Sequence, residues 1–259
     1  MMKRIASLLL SFCCFVLLVV AQNNKMEHPA YLGLSEDIRY YTNYSVSFNP
    51  KFRVPNWVAW ELIPEELVGP AVRLNDFKKA PLVNNSPTHE DYTNSGYQRG
   101  HMCPAADNKW DFRAMEESFY MINVCPQTGE LNEKKWKTLE ERCQAWAVLY
   151  GKVFIVCGPI GPARNVHIRE SDMLKSGVYI PREFFKAILR ERVVNGQIQY
   201  EAIGYILSQK GTWRICSVKE IEGRTGLVLF HNLRGEIGKY KANKVKENVN
   251  TKVWQNPNL

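Results

Sequence analysis

The chain has no internal repeat, no low-complexity segment and no linker. Its 16 Gly and 13 Pro are spread through 259 residues, of which 45% are hydrophobic and 23% charged. That composition excludes disordered and collagen-like proteins. Cysteine is sparse, seven in all, and no C-x-x-C pair occurs. A disulfide-dense scaffold is thereby excluded, and a structural zinc site is disfavoured. Four of the five histidines, His28, His89, His167 and His231, have no partner at metal-ligand spacing. Long apolar runs are absent but for Ile5–Val20, somewhat shorter than the roughly 20 residues that span a bilayer. Acid is the scarcer charge, 26 Asp+Glu against 34 Lys+Arg, for a net of +8. A basic excess favours an acidic partner such as nucleic acid, although charge alone does not separate that from a merely soluble basic protein.

The apolar run follows Lys3 and Arg4 and gives way to Ala21 and the polar stretch QNNKMEH. These are the three regions of a secretory signal, so residues 1–21 are expected to be a signal peptide and the chain secreted or periplasmic. No stable membrane association is expected after cleavage; an uncleaved anchor is the alternative. Removal takes away two positive charges and lowers the net from +8 to about +6. Cys103, Cys125, Cys143, Cys157 and Cys216 remain, and export would permit disulfides among them with one thiol left over. Cys103 and Cys125 both fall within the chemical blocks described below, and a bridge between them is one expectation.

Residues 22–49 are polar and aromatic and read as a lead-in to the body. Strands are expected at 56–62, 153–157, 178–180 and 200–207, where β-branched and aromatic residues gather. Helical spacing recurs at 111–120, at 132–150 through Trp136, Leu139, Cys143, Trp146 and Leu149, and at 217–223, where Ser217 and Glu220 form S-x-x-E. Strands and helices interleave without a βαβ period, which predicts an α+β fold of mixed or antiparallel sheets with flanking helices.

Chemistry concentrates between residues 92 and 140. In Gln98-Arg99-Gly100-His101 a cation and an imidazole stand two residues apart, so on an extended segment they share a face, and Gly100 allows close backbone approach to a phosphodiester. A lone R-G-H is more often a surface turn; its context raises it. On the helix at 132–150, Asn132 and Glu140 lie about 80° apart at ~3.6 residues per turn. An amide oxygen and a carboxylate on one broad face suit a hard, largely hydrated cation. The alternative makes Asn132 a helix cap and Glu140 a solvated side chain.

The blocks DYTNSGYQRGHMCPAADNKW and INVCPQTGELNEKKWKTLEE closely resemble the DNA/RNA non-specific endonuclease family, whose members share a ββα-metal (His-Me finger) site and the signature D-R-G-H. Further ordered blocks, from NWVAWEL to SVKEIEGRTGLVLF, extend the resemblance over residues 50–235, leaving 236–259 as a basic tail. The tail supplements the electrostatic footprint or is a solvated helix or frayed end. The resemblance implies that His101 is a general base activating water, that Asn132 is the direct ligand of one Mg²⁺ (or Mn²⁺), and that Glu140 holds metal-bound waters. It implies that Arg99 binds phosphate and stabilises the transition state, that Asn123 orients the site and that Arg73, upstream in AVRLNDF, binds phosphate. Substrates would be DNA and RNA, cut to leave 5′-phosphates; a homodimer or an inhibitor protein is left open. Gln98 departs from the signature Asp and cannot carry its charge. Reduced or shifted metal dependence is expected, and a catalytically weakened nucleic-acid-binding relative is the alternative reading.

Overall fold

In the computed structural model, which describes residues 25–31, 38–161 and 168–254, the strands are β1 (Ala30–Tyr31), β2 (Ile38–Tyr40), β3 (Ser45–Asn49), β4 (Val54–Leu62), β5 (Gln98–His101), β6 (Val124–Gln127), β7 (Val153–Ile160), β8 (Glu183–Val194), β9 (Gln197–Ser208), β10 (Trp213–Cys216) and β11 (Leu227–Val228). Seven of them form one antiparallel sheet in the order β10-β9-β8-β7-β4-β3-β2, while β5 pairs with β6 and β1 with β11. The α-helices are α1 (Phe112–Ser118), α2 (Lys137–Tyr150), α3 (Val218–Thr225), α4 (Leu233–Ile237) and α5 (Lys239–Glu247). The α+β class is therefore the observed one.

Alternation along the central strands supplies two cores. Val58, Trp60, Ile155, Phe184, Ile188 and Tyr205 point to one face, where α2 delivers Leu139, Cys143 and Trp146. Trp57, Ala59, Val156, Phe185, Leu189 and Ile206 point to the other, covered by α3, α4 and α5. A strand buried on both faces loses the polar alternation of a half-exposed one, which explains the continuous apolar run of β7.

Helix starts follow local chemistry. Asp111 Oδ1 accepts the amide of Ala114 at 2.8 Å, and Ser217 Oγ accepts that of Glu220 at 3.1 Å. Ahead of α2, Asn132 is not the cap: Thr128 Oγ1 accepts the Leu131 amide at 3.2 Å, and residues Leu131–Trp136 form a π-helical turn that runs into α2. In the tail, α5 buries Ala242 and Lys246, whose ammonium donates to Glu222 at 2.6 Å.

Several expectations change. The lead-in supplies β2, an edge strand of the large sheet, and β3 beside it. Residues 178–180 are not a sheet strand; Tyr179 makes only a bridge to Met173. The strand β8 was not anticipated, because Lys186 and Arg190 interrupt its apolar pattern. The signal-peptide residues 1–21 and His167 lie outside the described residues. Among the described residues no helix is long and apolar enough to cross a membrane.

The cysteine expectation is corrected. Cys103, Cys125, Cys143, Cys157 and Cys216 are all free and buried. Cys103 and Cys125 form no bridge: Cys125 pairs in register with Gly100, whereas Cys103 lies past the end of β5 with its backbone held by Asn123. Burial pushes the Cys143 and Cys157 thiols up to about 12, so these side chains act as small apolar packing groups.

His28 fastens the N-terminal segment to the sheet. Its Nε2 meets Ser45 Oγ at 2.9 Å, and its ring lies 5.5 Å from Tyr40 and 6.1 Å from Trp57. Burial, reinforced by Lys25 and His231, lowers its pKa to about 4. A base depressed on folding contributes stability that is present above its unfolded value of ~6.5 and is lost as pH falls through the folded value. Denaturant titration at pH 7 and pH 4 should therefore cost the native chain about 2–3 kcal/mol more than His28→Gln. Equal losses would contradict a buried neutral imidazole.

Candidate active site

In the β5–β6 pair, Gln98 lies opposite Gln127, Gly100 opposite Cys125 and His101 opposite Val124. The following π turn and α2 complete a ββα unit on the face of the large sheet that carries Trp60. Gly100 has a reason the sequence did not show: a Cβ there would stand 2.1 Å from the buried Gln127 Oε1. The glycine lets that side chain cross the strand. Trp136 fastens helix to strand, its Nε1 donating to the His101 carbonyl at 2.9 Å.

Arg99 and His101 share a face, as the spacing predicts. Both meet Phe77, the imidazole at 5.1 Å and the guanidinium carbon at 5.7 Å from the ring centroid. Phe119 stands edge-on to the imidazole at 5.0 Å and carries the guanidinium of Arg73 at 5.4 Å. Two phenylalanines therefore hold one imidazole and two cations around a single point. Neither was singled out in the sequence, where aromatic residues read as core.

The imidazole is buried, and its Nε2 has no hydrogen-bond partner among the described residues. Burial, with the nearby charge of Arg73, lowers the His101 pKa to about 3, so the ring is neutral at pH 7 and offers a nitrogen lone pair. Arg73 itself is exposed and donates through Nε to Asn75 Oδ1 at 2.8 Å. Arg99 donates to the His89 carbonyl at 3.0 Å and lies 3.2 Å from its Nε2. His89, to which the sequence assigned no role, thus buttresses Arg99.

Asn132 and Glu140 come together with these groups. Asn132 Nδ2 donates to Gln98 Oε1 at 2.8 Å, which fixes the amide and leaves Oδ1 for another partner. Gln98 Nε2 in turn donates to the Glu133 carboxylate. Glu140 is only partly exposed. Burial pushes its pKa up to about 8, with Asp107 adding to the rise and Lys186, Trp136 and Arg73 opposing it.

Asn123 sits below the site. Its Nδ2 donates to the carbonyls of Cys103 and Ser118, each at 2.8 Å, and its Oδ1 accepts the Cys103 amide at 2.9 Å. Both donors are committed to backbone, so the residue clasps the segment after β5 to the end of α1.

Among the described residues, no three His, Cys, Asp or Glu side chains converge as a metal cage. One amide oxygen and one carboxyl group form a sparse set of hard oxygen donors, which fits a small divalent cation that keeps most of its waters.

Comparison with known proteins agrees with this geometry. The sequence profile of the DNA/RNA non-specific endonuclease family matches residues 22–236. The chain is 32% identical over 214 residues to mouse nuclease EXOG, mitochondrial (76% of this chain, 58% of that protein). It is 39% identical over 239 residues to the Xenopus laevis EXOG (84% and 64%) and 29% identical over 215 residues to human endonuclease G, mitochondrial (77% and 71%). The chain thus spans little more than half the length of the mouse relative. A solved EndoG/EndoGI complex contains a chain of like fold, with a TM-score of 0.70 and 25% identity, covering 82% of this chain and 91% of that one. These relatives overturn the expectation of a secreted or periplasmic protein, since EXOG, endonuclease G and a Saccharomyces cerevisiae nuclease are all named mitochondrial. With the profile match covering most of its length and a ββα unit bearing the signature positions, the chain belongs to the DNA/RNA non-specific endonuclease family.

Proposed function

We propose that this chain is a metal-dependent endonuclease that hydrolyses phosphodiester bonds of DNA and RNA. The observation that carries the proposal is the buried, partnerless Nε2 of His101, held by Phe77 and Phe119 between two guanidinium groups. A neutral imidazole so placed takes a proton from a water attacking phosphorus. Bound phosphate brings negative charge beside His101, which opposes the effect of Arg73 and raises the basicity of the ring as substrate arrives. Arg73 and Arg99 bind phosphate oxygens and stabilise the charge that develops in the transition state. Asn132 Oδ1 would hold one Mg²⁺ or Mn²⁺ directly, and Glu140 would hold water beside it. Such a cation would supply charge neutralisation at the phosphate and acidic water for the departing 3′ oxygen, in keeping with 5′-phosphate products.

Gln98 supports activity. The signature Asp is replaced by a residue whose carbonyl still fixes Asn132, and whose amide reaches the carboxylate of Glu133. A binding module that had lost catalysis would have no need to keep Asn132 oriented. Phosphate recognition through two arginines and a cation reads backbone rather than base edges, so cleavage should be largely indifferent to sequence and sugar.

In a plasmid-nicking assay, EDTA should abolish cleavage and His101→Ala should lower its rate by about 10²–10⁴-fold while DNA binding persists. A His101→Ala protein that nicks at the native rate would refute the assignment. Gln98→Leu removes the acceptor from Asn132 and should raise the Mg²⁺ concentration for half-maximal rate about 10- to 100-fold, whereas Gln98→Asp should not. Unchanged Mg²⁺ dependence in Gln98→Leu would mean that Asn132 needs no such orientation. Binding followed by fluorescence anisotropy against salt should lose about one unit of log–log slope in Arg99→Ala. An unaltered slope would remove Arg99 from the phosphate contacts.

A further inference from the structure

Lys186 lies near the middle of β8, in register with Cys157 of β7 and Tyr205 of β9. Phe184 and Ile188, two residues to either side, point to the core face that receives α2, so Lys186 points there too. It is fully buried, and its ammonium has no hydrogen-bond partner among the described residues. The charge rests instead between two indoles, 4.4 Å from the centroid of Trp136 and 5.5 Å from that of Trp60.

A buried ammonium without a hydrogen-bonded partner is costly, and cation–π contacts recover only part of that cost. A methionine would fill the same space between the indoles without it. Two acids stand in the electrostatic neighbourhood of the charge, Asp107 and Glu140, and neither is in ion-pair contact with it. Asp107 is already bound by Trp60 Nε1 at 3.0 Å and Gln144 Nε2 at 2.8 Å. Glu140 follows Trp136 by four residues on the continuous helix, so it stands one turn along from the indole that carries the ammonium. Lys186 therefore lies beneath the helix face that bears Asn132, Trp136 and Glu140.

We infer that Lys186 is a positioning residue for the candidate metal site: its buried charge, held between Trp136 and Trp60, draws the Glu140 carboxylate inward and fixes it to receive the waters of the cation at Asn132. The inference rests on the metal-dependent reading given above. Lys186 touches neither substrate nor cation and acts through Glu140, which explains why a charge is retained where packing alone would be served by an apolar chain.

The test is a double-mutant cycle on the full chain with Lys186→Met, Glu140→Gln and the pair, measuring Mn²⁺ affinity by electron paramagnetic resonance and thermal unfolding of the metal-free proteins. Lys186→Met should weaken Mn²⁺ binding about 10-fold or more. Glu140→Gln should weaken binding in the native background and add nothing once Lys186 is gone. Wild-type Mn²⁺ affinity in a folded Lys186→Met protein would overturn the inference, as would strictly additive losses, which would assign the charge to Asp107. Should Lys186→Met fail to fold, Glu140→Gln alone decides: leaving the ammonium without its acid should lower the Tm of the metal-free protein, and an unchanged Tm would overturn the proposal. Native protein that neither binds Mn²⁺ nor cleaves DNA would instead refute the metal-dependent reading itself.

Discussion

A buried hydrogen bond anchors the two halves of the site to each other, beneath the more exposed bonds of Gln98 to Asn132 and Glu133. Trp136 Nε1 donates to the His101 carbonyl at 2.9 Å, across 35 residues of sequence. On one side of that bond is the strand that carries Gln98, Arg99 and His101; on the other is the helix that carries Asn132 and Glu140. The indole is fully buried, packs edge-on against Phe184 at 5.7 Å and takes the ammonium of Lys186 against its face. A rigid aromatic at that point sets the distance between His101 and Asn132, and an aliphatic side chain there would leave the carbonyl without its donor.

Around this bond the charges are layered. Arg73 and Arg99 lie outermost, each against a phenylalanine that also touches His101. Asn132, Gln98 and the partly exposed Glu140 come next, and Lys186 with Asp107 lies in the dry layer against the sheet. In the proposed reading the outer cations would meet the phosphate, the middle layer would meet a hydrated cation, and the inner cation would act on the acid above it. The imidazole stays neutral because burial and Arg73 both disfavour its charged form. That neutrality is what a proton acceptor requires, and it makes electrostatics the link between fold and chemistry.

The sequence showed the site's polar residues well and their supports poorly. Arg99, His101, Asn132 and Glu140 are marked by residue type, spacing and likeness to a family, and the structure brings them together with Arg73 from a distant loop. Phe77 and Phe119 carry no mark of function, because nothing in a single chain separates an aromatic that clamps an imidazole from one that fills a core, and His89 reads as a loop residue. Asn123 is marked by its family position, but its commitment to three backbone groups is visible only in three dimensions. The strand β8 was hidden because its two faces are both buried while Lys186 and Arg190 break the apolar run. The cysteines misled in the opposite direction: an apolar N-terminal stretch suggested an oxidising compartment, whereas buried unpaired thiols and mitochondrial relatives point away from it.

The central claim is that a single hydrated cation binds at Asn132, beside a neutral His101. Anomalous diffraction from crystals soaked in Mn²⁺ tests it most directly. The account predicts one strong peak in direct contact with Asn132 Oδ1, with water between it and Glu140 and none of the histidines among its ligands. A peak bound directly by His101, or a site elsewhere with Asn132 unliganded, would contradict it.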